Sequence, residues 1–396
     1  MGTDYFKELP NNWEIKKFGD VAKITCGVAA TPEYVDASIG IPFFSARNVQ
    51  NGRLDLNYFQ YISVELHKKL TKNTKPERGD ILLTRVGAGI GEAAVVNIDF
   101  EFSVYVSLTL IKCSKKIESE FIKLLLNTNY YRYLATRDQF AGGGVQNLNV
   151  QMVKDYPIPV PPLFEQKKIA QILSTWDQAI LATEKLLENS QQQKKALMQQ
   201  LLTGKKRLLD ENGVKFSDEW QRIELGLLLD YQQPTPYLVE STAYSDSYET
   251  PVLTAGKTFI LGYTNESSGI YQDQLPVIIF DDFTTDSKYV NFPFKAKSSA
   301  MKILTAKKGV SIKFVFEAMQ MLQFTVGGHQ RHWISIFSNL VIPLPNLKEQ
   351  EKIAEVLSLA DQEIETLQKK LDFLKQEKKA LMQQLLTGKK RVKVAA

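Results

Sequence analysis

The feature that most constrains this chain is an internal repeat. The fourteen residues KKALMQQLLTGKKR occupy positions 194–207 and occur again, unchanged, at positions 378–391. At the same offset of 184 residues, the similarity extends back without a gap to Gln139 in the first copy and Gln323 in the second. An identity of this length does not arise by chance, so the chain consists of two related halves.

A second correspondence lies near the beginning of each half, at an offset of 207 residues. It pairs Trp13 with Trp220 and Gly19 with Gly226. Because the two offsets differ by 23 residues, the first half contains that much more sequence between its shared ends. Two long units are too few for a solenoid, which stacks at least about three short repeats. Each half is therefore predicted to hold a variable globular block followed by a shared tail.

Each shared tail has the heptad spacing of a coiled-coil helix. Seam positions recur at alternating steps of four and three residues for about five heptads, and the residues between them are rich in Glu, Lys and Gln, which favour helix. The apolar seam residues are Ile169, Leu173, Trp176, Ile180, Leu187, Leu197 and Leu201 in the first tail and Ile353, Leu357, Ile364, Leu371, Leu374, Leu381 and Leu385 in the second. This spacing predicts a helix over 165–202 that is about 57 Å long at 1.5 Å per residue, and a matching second helix.

Prolines and glycines predict where these helices begin and end. Proline lacks the N–H and biases the preceding residue toward extended geometry, so helix is excluded before each tail. Gly204 and Gly388, each followed by Lys-Lys-Arg, are typical of left-handed C-terminal caps with cations at the negative end of the helix dipole. The prolines concerned are Pro157, Pro159, Pro161 and Pro162 in the first half and Pro343 and Pro345 in the second.

The connection between the tails predicts their relative direction. Residues 203–219 form a short linker, so a second helix that pairs with the first along its length must run back antiparallel to it. The two blocks would then lie at opposite ends of the helix pair and be related by a pseudo-two-fold axis. The alternative is a seam between two copies of the chain, but an intramolecular pair is favoured because each chain contains both helices.

The two variable blocks share one order of strand and helix patterns. In each block, short apolar runs bounded by turn residues are followed by a helical stretch and a polar loop that contains glycine. This order predicts an α+β fold with antiparallel hairpins in both blocks. The runs are 41–49, 79–96 and 102–113, the helix 118–136 and the loop 141–149 in the first block; the second has runs 251–264 and 275–292, a helix at 311–321 and a loop at 326–333.

Composition excludes several functional classes. The 396 residues carry a net charge of only +5, with 18 basic and 15 acidic residues over 13–157 and 10 and 11 over 220–341, so neither block alone has a strong field for phosphates. Cys26, Cys113 and three histidines are too few for a disulfide framework or a four-ligand zinc site. A polar N-terminus and the lack of an apolar run of about 18 residues predict a cytoplasmic protein that does not enter a membrane.

One glycine-rich motif admits a cofactor interpretation. Gly87, Gly89 and Gly91 follow a strand, as in nucleotide-binding loops. The GxGxxG spacing is missing, however, and the residues that follow have the pattern of a strand instead of the helix that would bind phosphate. A tight hairpin is favoured, in which the glycines let backbone approach backbone or DNA. Arg85, beside it, is a candidate base or phosphate contact.

Two further groups admit a metal interpretation. Asp281 and Asp282 with Lys288 resemble part of a metal-dependent nuclease site, but no acidic-x-Lys element follows. A turn acid or a cytosine-reading carboxylate is favoured there. His329 and His332 would be two ligands without a third, so a metal site is not expected at either place.

Polar loops at matching places in the two halves carry the residue types that read DNA bases. QNLN at 146–149 and HQRH at 329–332 both follow Gly-Gly. Asn and Gln can bind adenine with two hydrogen bonds, and Arg can bind guanine in the same way, whereas the alternative is a solvated polar loop. The candidate DNA contacts are Arg47, Asn48, Arg85, Gly87, Gly89, Gln146, Asn147 and Asn149 in the first half and Lys257, Asp281, Lys288, His329, Gln330, Arg331 and His332 in the second.

Together these motifs resemble a known family. Both halves enter the long helix through a proline-rich segment with Glu-Gln (PIPVPPLFEQKKIA and VIPLPNLKEQEKIA) and leave it through LMQQLLTGKKR, and GDILLTRVGAGIG resembles a segment of the family's target-recognition domains. The chain is similar to the specificity subunits of type I restriction–modification enzymes over nearly its whole length. The resemblance implies target-recognition domains at 1–157 and 208–341 and shared helical regions at 158–207 and 342–396.

The resemblance also implies a function and a set of partners. Such a chain is a non-catalytic DNA reader in which each block recognises one half of a split site in double-stranded DNA, while the helices set the spacer and dock two methyltransferase subunits. Restriction–translocase subunits join them. S-adenosylmethionine, ATP and Mg²⁺ are expected on the partner subunits, and no cofactor is expected on this chain.

The residues support this interpretation independently and leave an alternative. No N/D-P-P-Y/F/W methylation motif and no Walker loop occurs in the sequence, which disfavours a methyltransferase or an ATP-dependent nuclease. An adaptor of another class, with a coiled coil and end domains that bind proteins, remains possible from the same patterns. A helix of about 57 Å corresponds to roughly 17 base pairs at about 3.4 Å per pair, which suits a spacer.

Overall fold

The structure is a computed structural model that describes residues 6, 9–27, 32–72, 75–137, 147–254, 258–322 and 332–392. The chain divides into two compact units. Unit one contains Met1–Ala182 together with Leu371–Ala396, and unit two contains Thr183–Lys370. Each unit therefore combines one variable block with part of both shared tails. No helix among the described residues is long and apolar enough to span a bilayer.

Unit one begins with short strands and ends in a long helix. Its strands are β1 (Glu14–Lys17), β2 (Ala22–Cys26), β3 (Ile41–Phe44), β4 (Val49–Gln50), β5 (Arg53–Leu54), β6 (Gln60–Ile62), β7 (Ile81–Thr84), β8 (Ala93–Val95), β9 (Ser103–Val104), β10 (Leu108–Cys113) and β11 (Pro157–Val160). Its helices are α1 (Phe18–Val21), α2 (Val64–Thr71), α3 (Ser119–Leu126), α4 (Asn129–Arg137), α5 (Val150–Lys154) and the first part of α6 (Leu163–Leu201), and a 3₁₀ turn covers Ala46–Asn48.

Unit two also has short strands and short helices before a long helix. Its strands are β12 (Gln221–Glu224), β13 (Leu229–Gln232), β14 (Thr250–Leu253), β15 (Ile260–Thr264), β16 (Val277–Asp281), β17 (Ser287–Val290), β18 (Lys295–Ala296), β19 (Met301–Ala306) and β20 (Val341–Leu344). Its helices are α7 (Leu225–Leu228), α8 (Ile312–Met319), α9 (His332–Ser335) and most of α10 (Leu347–Leu385), with 3₁₀ turns at Thr235–Tyr237 and Phe337–Asn339.

The sheets of the two units have matching topology. A four-stranded antiparallel sheet has the order β2-β10-β7-β8 in unit one and β13-β19-β16-β17 in unit two. A three-stranded sheet, β6-β3-β9 or β15-β14-β18, contains one antiparallel and one parallel pair. β1 pairs with β11, and β12 with β20, just before each long helix begins. The α+β class predicted for both blocks is confirmed.

Each four-stranded sheet is covered on both faces. In β7, Ile81 and Leu83 face one apolar cluster, with α3 and the helix ends, while Leu82 faces a second cluster around Phe44. Unit two repeats the pattern along β16. Burial on both faces explains why these strands read as continuous apolar runs instead of alternating ones.

One predicted element differs in the structure. The stretch 118–136 was expected as a single helix, but it forms α3 and α4, separated by Asn127 and Thr128. The Asn127 side chain explains the break, because its Oδ1 accepts from the Ala93 N–H at 3.1 Å and its Nδ2 donates to the Ala93 carbonyl at 2.8 Å. This exchange ties the end of α3 to β8.

The two long helices confirm the predicted tails. α6 and α10 each have 39 residues, or about 58 Å at 1.5 Å per residue. None of the assigned seam positions is exposed, and Ile169, Leu173, Ile353 and Leu357 are fully buried. Heptad spacing therefore located the inward-facing side of both helices.

The helix ends and the direction of pairing also agree with the sequence. Gly204 and Gly388 both have φ of +72°, the left-handed geometry predicted for C-terminal caps. In unit one, Lys378 contacts Asp177, and the later Arg391 contacts the earlier Glu165. Residue numbers rise along one segment as they fall along the other, so the paired segments are antiparallel. Unit two has the same arrangement, with Lys194 against Asp361 and Arg207 against Glu349.

Candidate nucleic-acid interface

In each unit, candidate DNA contacts lie at the end of an inner strand of the four-stranded sheet. Thr84 at the end of β7 lies opposite Leu108, and Asp281 at the end of β16 lies opposite Met301. The next residue donates its N–H across the sheet in both units. Arg85 donates to the carbonyl of Ser107 at 3.0 Å, and Asp282 to that of Ala300 at 3.2 Å. Arg85 and Asp282 thus occupy equivalent positions with opposite charges.

In unit one, Arg85 holds the segment that follows the glycine loop. Its Nε donates to Asn147 Oδ1 at 3.1 Å and to the Leu148 carbonyl at 3.0 Å, and the Leu148 N–H donates to the Arg85 carbonyl at 2.8 Å. Asn149 then caps α5, since its Oδ1 accepts from the Gln151 N–H at 2.8 Å. Arg85 is only 8% exposed. These contacts give Arg85 a positioning role, and its predicted contact with DNA stays a prediction.

In unit two, Asp282 holds the equivalent segment by different chemistry. Its Oδ1 accepts from the Trp333 N–H at 3.0 Å, and its carbonyl accepts from the His332 N–H at 3.1 Å. The same carbonyl lies 2.9 Å from His332 Nδ1. Asp282 Oδ2 lies 3.3 Å from Lys302 Nζ, and both side chains are almost completely buried. The Lys302 ammonium therefore stabilises the Asp282 carboxylate, because an unpaired charge is costly in the protein interior.

A hairpin lies beside Arg85. Gly87 has φ of +93°, and in the described part of the chain no heavy atom other than those of Gly87 and its direct neighbours lies within 4 Å of the place where a side chain would begin. Gly91 has φ of +81°, and a Cβ there would lie 2.7 Å from Ala135 Cβ. The motif, which includes Gly89, leads into strand β8, so the hairpin interpretation is confirmed. Gly87 is exposed at the tip of the hairpin.

The 3₁₀ turn of unit one adjoins this strand end. The Ala46 N–H donates to Ser107 Oγ at 2.9 Å, which links the turn to the residue that binds the Arg85 N–H. Asn48 is buried: its Oδ1 accepts from the Ser45 N–H and its Nδ2 donates to two carbonyls. The amide of Asn48 is thus used within the protein, whereas Arg47 beside it is exposed. Hydrogen bonds through Ser107 thus link the turn that carries Arg47 and Asn48 to Arg85, which in turn bonds Asn147.

The carboxylate proposed as a turn acid in unit two has that role. Asp281 Oδ1 accepts from the Phe283 and Thr284 N–H groups at 2.8 and 3.3 Å. Lys288 lies exposed on β17, opposite Ile279. Among the residues that the structure describes, no three His, Cys, Asp or Glu side chains are grouped to hold a metal ion.

Several predicted contacts fall outside the described residues. These are Gln146 in the first half and Lys257, His329, Gln330 and Arg331 in the second. Asn147 directly follows the first loop, and the buried His332 directly follows the second. Contact with DNA stays a prediction for all of the candidates.

Comparison with known proteins identifies the family. The model of the type I restriction modification DNA specificity domain matches residues 10–190 and again residues 217–376. The chain belongs to the type I restriction–modification specificity family. Two tandem domains of one family explain the repeat in the sequence and the matching topology of the two units.

Individual relatives agree with this assignment. The chain is 51% identical over 145 residues to the EcoR124I/EcoR124II specificity subunit of Escherichia coli, a match that covers 35% of each chain. It is 26% identical over 422 residues to the putative MjaX specificity subunit of Methanocaldococcus jannaschii, covering 98% of this chain and 95% of the relative. The crystal structure of the S subunit from M. genitalium has a TM-score of 0.65 at 16% identity and covers 96% of this chain and 97% of that one, which indicates a shared fold.

Within this specificity subunit, the shared motifs form a matched anchor in each unit. In unit one, Glu165 at the start of α6 accepts from Trp13 Nε1 at 3.1 Å and from Arg391 Nε and Nη2 at 2.6 and 3.0 Å. In unit two, Glu349 accepts from Trp220 Nε1 at 3.0 Å and from two nitrogens of Arg207 at 2.6 Å. We call each set a Trp–Glu–Arg anchor.

Sequence reasoning missed the anchors, although their members were visible in the repeat. Arg207 and Arg391 were interpreted only as cations near a helix end. The repetition of Trp, Glu-Gln and Lys-Lys-Arg in the same order in both halves was the signal that could have linked them. The hydrogen bonds from Arg207 to Glu349 raise the pKa of the arginine above its ordinary value, so the guanidinium stays charged.

The glutamine beside each anchor ties the long helix to its block. Gln166 Oε1 accepts from the Glu118 N–H at 2.8 Å, at the start of α3. Gln350 Oε1 accepts from the Ser311 N–H at 2.9 Å, at the start of α8. The Glu-Gln pair of the motif therefore has two separate contacts, one to the opposite helix and one to the block.

A lysine in each seam forms a second contact between the helices. In unit two, Lys194 Nζ lies 2.5 Å from Asp361 and 3.1 Å from Glu317, and Lys313 contacts the same two carboxylates. Burial favours the protonated form of Asp361, but the hydrogen bonds from both lysines hold the pKa of its carboxyl below the ordinary value. In unit one, Lys378 pairs with Asp177 at 2.6 Å.

Proposed function

We propose that this chain is the DNA-reading subunit of a type I restriction–modification complex, in which each unit reads one half of a bipartite site. The observation that carries the proposal is the strand-end position held by Arg85 and Asp282. The two units share topology, anchors and backbone hydrogen bonds at this place, yet the side chains differ in charge. A repeated scaffold with different residues at one position suits the reading of two different half-sites.

The long helices are proposed to set the spacer between the half-sites. Each has 39 residues, and about 58 Å corresponds to roughly 17 base pairs at about 3.4 Å per pair. The buried seam and the charged contacts of Lys194 and Lys378 support a stiff element with one register. A stiff helix pair of fixed length favours one spacing over others.

Catalysis is proposed to belong to partner subunits. Two methyltransferase subunits would dock on the helical regions and carry S-adenosylmethionine, and restriction–translocase subunits would carry ATP and Mg²⁺. This chain would hold no cofactor of its own. Burial raises the pKa of the Cys113 thiol to about 12, so that cysteine is not a reactive nucleophile at neutral pH. All of these steps are consistent with a chain that acts by positioning.

The small net charge predicts that partner subunits supply much of the affinity for DNA. Contacts with phosphates dominate the affinity of proteins for DNA. A chain of 396 residues with a net charge of only +5 supplies few of them. We expect the isolated chain to bind DNA weakly and the assembled complex to bind it tightly. Titration of both with the same duplex at two salt concentrations checks this, and tight specific binding by the isolated chain would contradict it.

Mapping of methylated bases tests the proposed function. The full chain is co-expressed with its methyltransferase in a host that lacks both, and methylated positions are mapped across the genome. We expect one motif with two specific parts separated by unspecified positions, and no methylation with the methyltransferase alone. A continuous motif would overturn the bipartite proposal. No methylation by an assembled complex would favour the alternative, an adaptor whose end domains bind proteins.

A further inference from the structure

A second pair of equivalent positions lies on the three-stranded sheet of each unit. The Tyr105 N–H donates to the Phe44 carbonyl at 2.8 Å, and the Lys297 N–H donates to the Leu253 carbonyl at 2.9 Å. Tyr105 and Lys297 follow β9 and β18, which pair in parallel with β3 and β14 in the same register. Tyr105 in unit one is therefore the structural equivalent of Lys297 in unit two.

Two neighbouring positions match in the same way. On the adjacent strand, Gln60 lies opposite Phe43 in unit one, and Gly262 lies opposite Val252 in unit two. Tyr34 and Tyr244 also correspond, because the residue after each donates its N–H to the same place on that strand, at 3.0 and 3.1 Å. Of the three equivalent positions, one has tyrosine in both units, Tyr34 and Tyr244. The other two hold different residues in the two units.

In unit one these residues border an open cleft. A cavity of about 320 Å³ is lined by Tyr34, Tyr105, Gln60 and Arg47 among others. Within the described part of the chain, the Gln60 amide and the Arg47 guanidinium have no hydrogen-bond or ion-pair partner. Amide and guanidinium groups left unpaired beside aromatic rings are available to a polar, planar ligand.

In unit two the equivalent place has different side chains. Gly262 leaves room for Tyr244, since a Cβ on the glycine would lie 2.8 Å from Tyr244 Cβ. The exposed Lys297 places its Nζ 5.9 Å from the centre of the Tyr244 ring. The glycine at the position of Gln60 thus lets Tyr244 pack closely against the strand. At the position of Tyr105, unit two presents the exposed Lys297.

We infer that this position on the three-stranded sheet is a base-reading site in both units, with Gln60 and Lys297 as the residues that discriminate. The inference rests on the proposed function. The amide of Gln60 can bind the N6 and N7 positions of adenine, and an aromatic ring beside it can contact a thymine methyl group. Lys297 donates only, which suits the O6 and N7 acceptors of guanine. Unit one then prefers an A·T pair at this position and unit two a G·C pair.

The arrangement around Arg47 supports a ligand of DNA chemistry. The buried Asn48 holds the backbone of the turn in place, and Gln50 Nε2 donates to the Arg47 carbonyl at 3.0 Å. The guanidinium therefore extends from a fixed backbone at the rim of the cleft. An arginine in this position can bind the phosphate next to a base that the cleft reads.

The test compares single variants of the full chain in the assembled methyltransferase complex. We expect Gln60→Ala to relax one base position in one half-site and Lys297→Ala to relax one base position in the other. The discrimination lost at that position should be roughly 5- to 150-fold, the usual worth of a bidentate base contact. Methylome sequencing gives both half-sites in each experiment, so the unchanged half serves as an internal reference.

Two further variants sharpen the test. Lys308→Ala removes the same charge from an exposed position in unit two, after β19, and should leave both half-sites unchanged. Gln60→Lys should shift the preferred pair in the first half-site from A·T to G·C. If wild type gives a bipartite motif but the Gln60 and Lys297 variants read both halves as before, the inference is wrong and the proposed function stands. If wild type gives no bipartite motif, the proposed function itself fails.

Discussion

The Trp–Glu–Arg anchors and the strand ends of the two units behave in opposite ways. At the anchors, Glu165 and Glu349 have the same partners at nearly the same distances. At the strand ends, Arg85 and Asp282 share backbone contacts and differ in charge. The residues that join each long helix to its block are therefore the same in both units, while the residues of the blocks proposed to contact DNA differ. Changes to the two parts should therefore have different consequences.

The largest effect is expected from shortening the helices. Deletion of residues 187–193 from α6 and 362–368 from α10 removes one heptad from each and keeps the seam in register. We expect loss of methylation at the original spacing and a new spacer about three base pairs shorter, because seven residues span about 10 Å. Both half-site sequences should persist. Methylome sequencing checks this. An unchanged spacer would rule out the proposal that the long helices set the distance between the half-sites.

Loss of an anchor carboxylate should have the next largest effect. Glu349→Ala removes the counter-charge of Arg207 and the acceptor of Trp220 in a buried site and should lower the free energy of unfolding by about 3–5 kcal/mol. Glu165→Ala should cost less, since the Arg391 side chain is 45% exposed against 17% for Arg207. Denaturant unfolding measures both. The control Glu365→Ala, which removes an exposed pair with Lys369, should change stability by no more than about 0.5 kcal/mol.

Substitutions at the two strand ends should lower the free energy of unfolding by different amounts. Asp282→Asn leaves the buried Lys302 without a counter-charge and is expected to cost about 3 kcal/mol. Arg85→Gln loses hydrogen bonds to Asn147 and Leu148 and should cost about 1–2 kcal/mol. The double variant Asp282→Asn/Lys302→Met should recover most of the first loss. Equal costs for the two single variants in denaturant unfolding would contradict the different chemistry described for the two units.

The smallest effect concerns acid stability. Because the pKa of Asp361 is lowered in the folded chain, its contribution to stability is present above the unfolded-state pKa of about 3.9 and is lost as pH falls through the folded value. Asp361→Asn should therefore flatten the decline in unfolding free energy below about pH 4. Unfolding curves from pH 2 to pH 6 measure the slope. A slope that does not change on substitution would assign the acid sensitivity to other groups.

The sequence predicted the long helices well, because heptad spacing, prolines and cap glycines act locally. It also located the central strands and the hairpin at Gly87. The contact of Arg85 with Asn147 and Leu148 could not be predicted, since the residues are more than 60 positions apart and a single sequence does not specify which remote segments pair. The break at Asn127 was missed for the same reason, because its cause is a bond to β8.

The chain segments that make up each unit also determine which unit can complete its folding first during synthesis on the ribosome. Unit two is one continuous stretch, Thr183–Lys370, whereas unit one needs Leu371–Ala396 to be complete. Arg391 is synthesised 226 positions after its partner Glu165, roughly 10–45 s later at about 5–20 residues per second. The unit whose synthesis starts first is therefore the last that can close. Until then, the inward face of the first part of α6 lacks its helical partner and is available to chaperones.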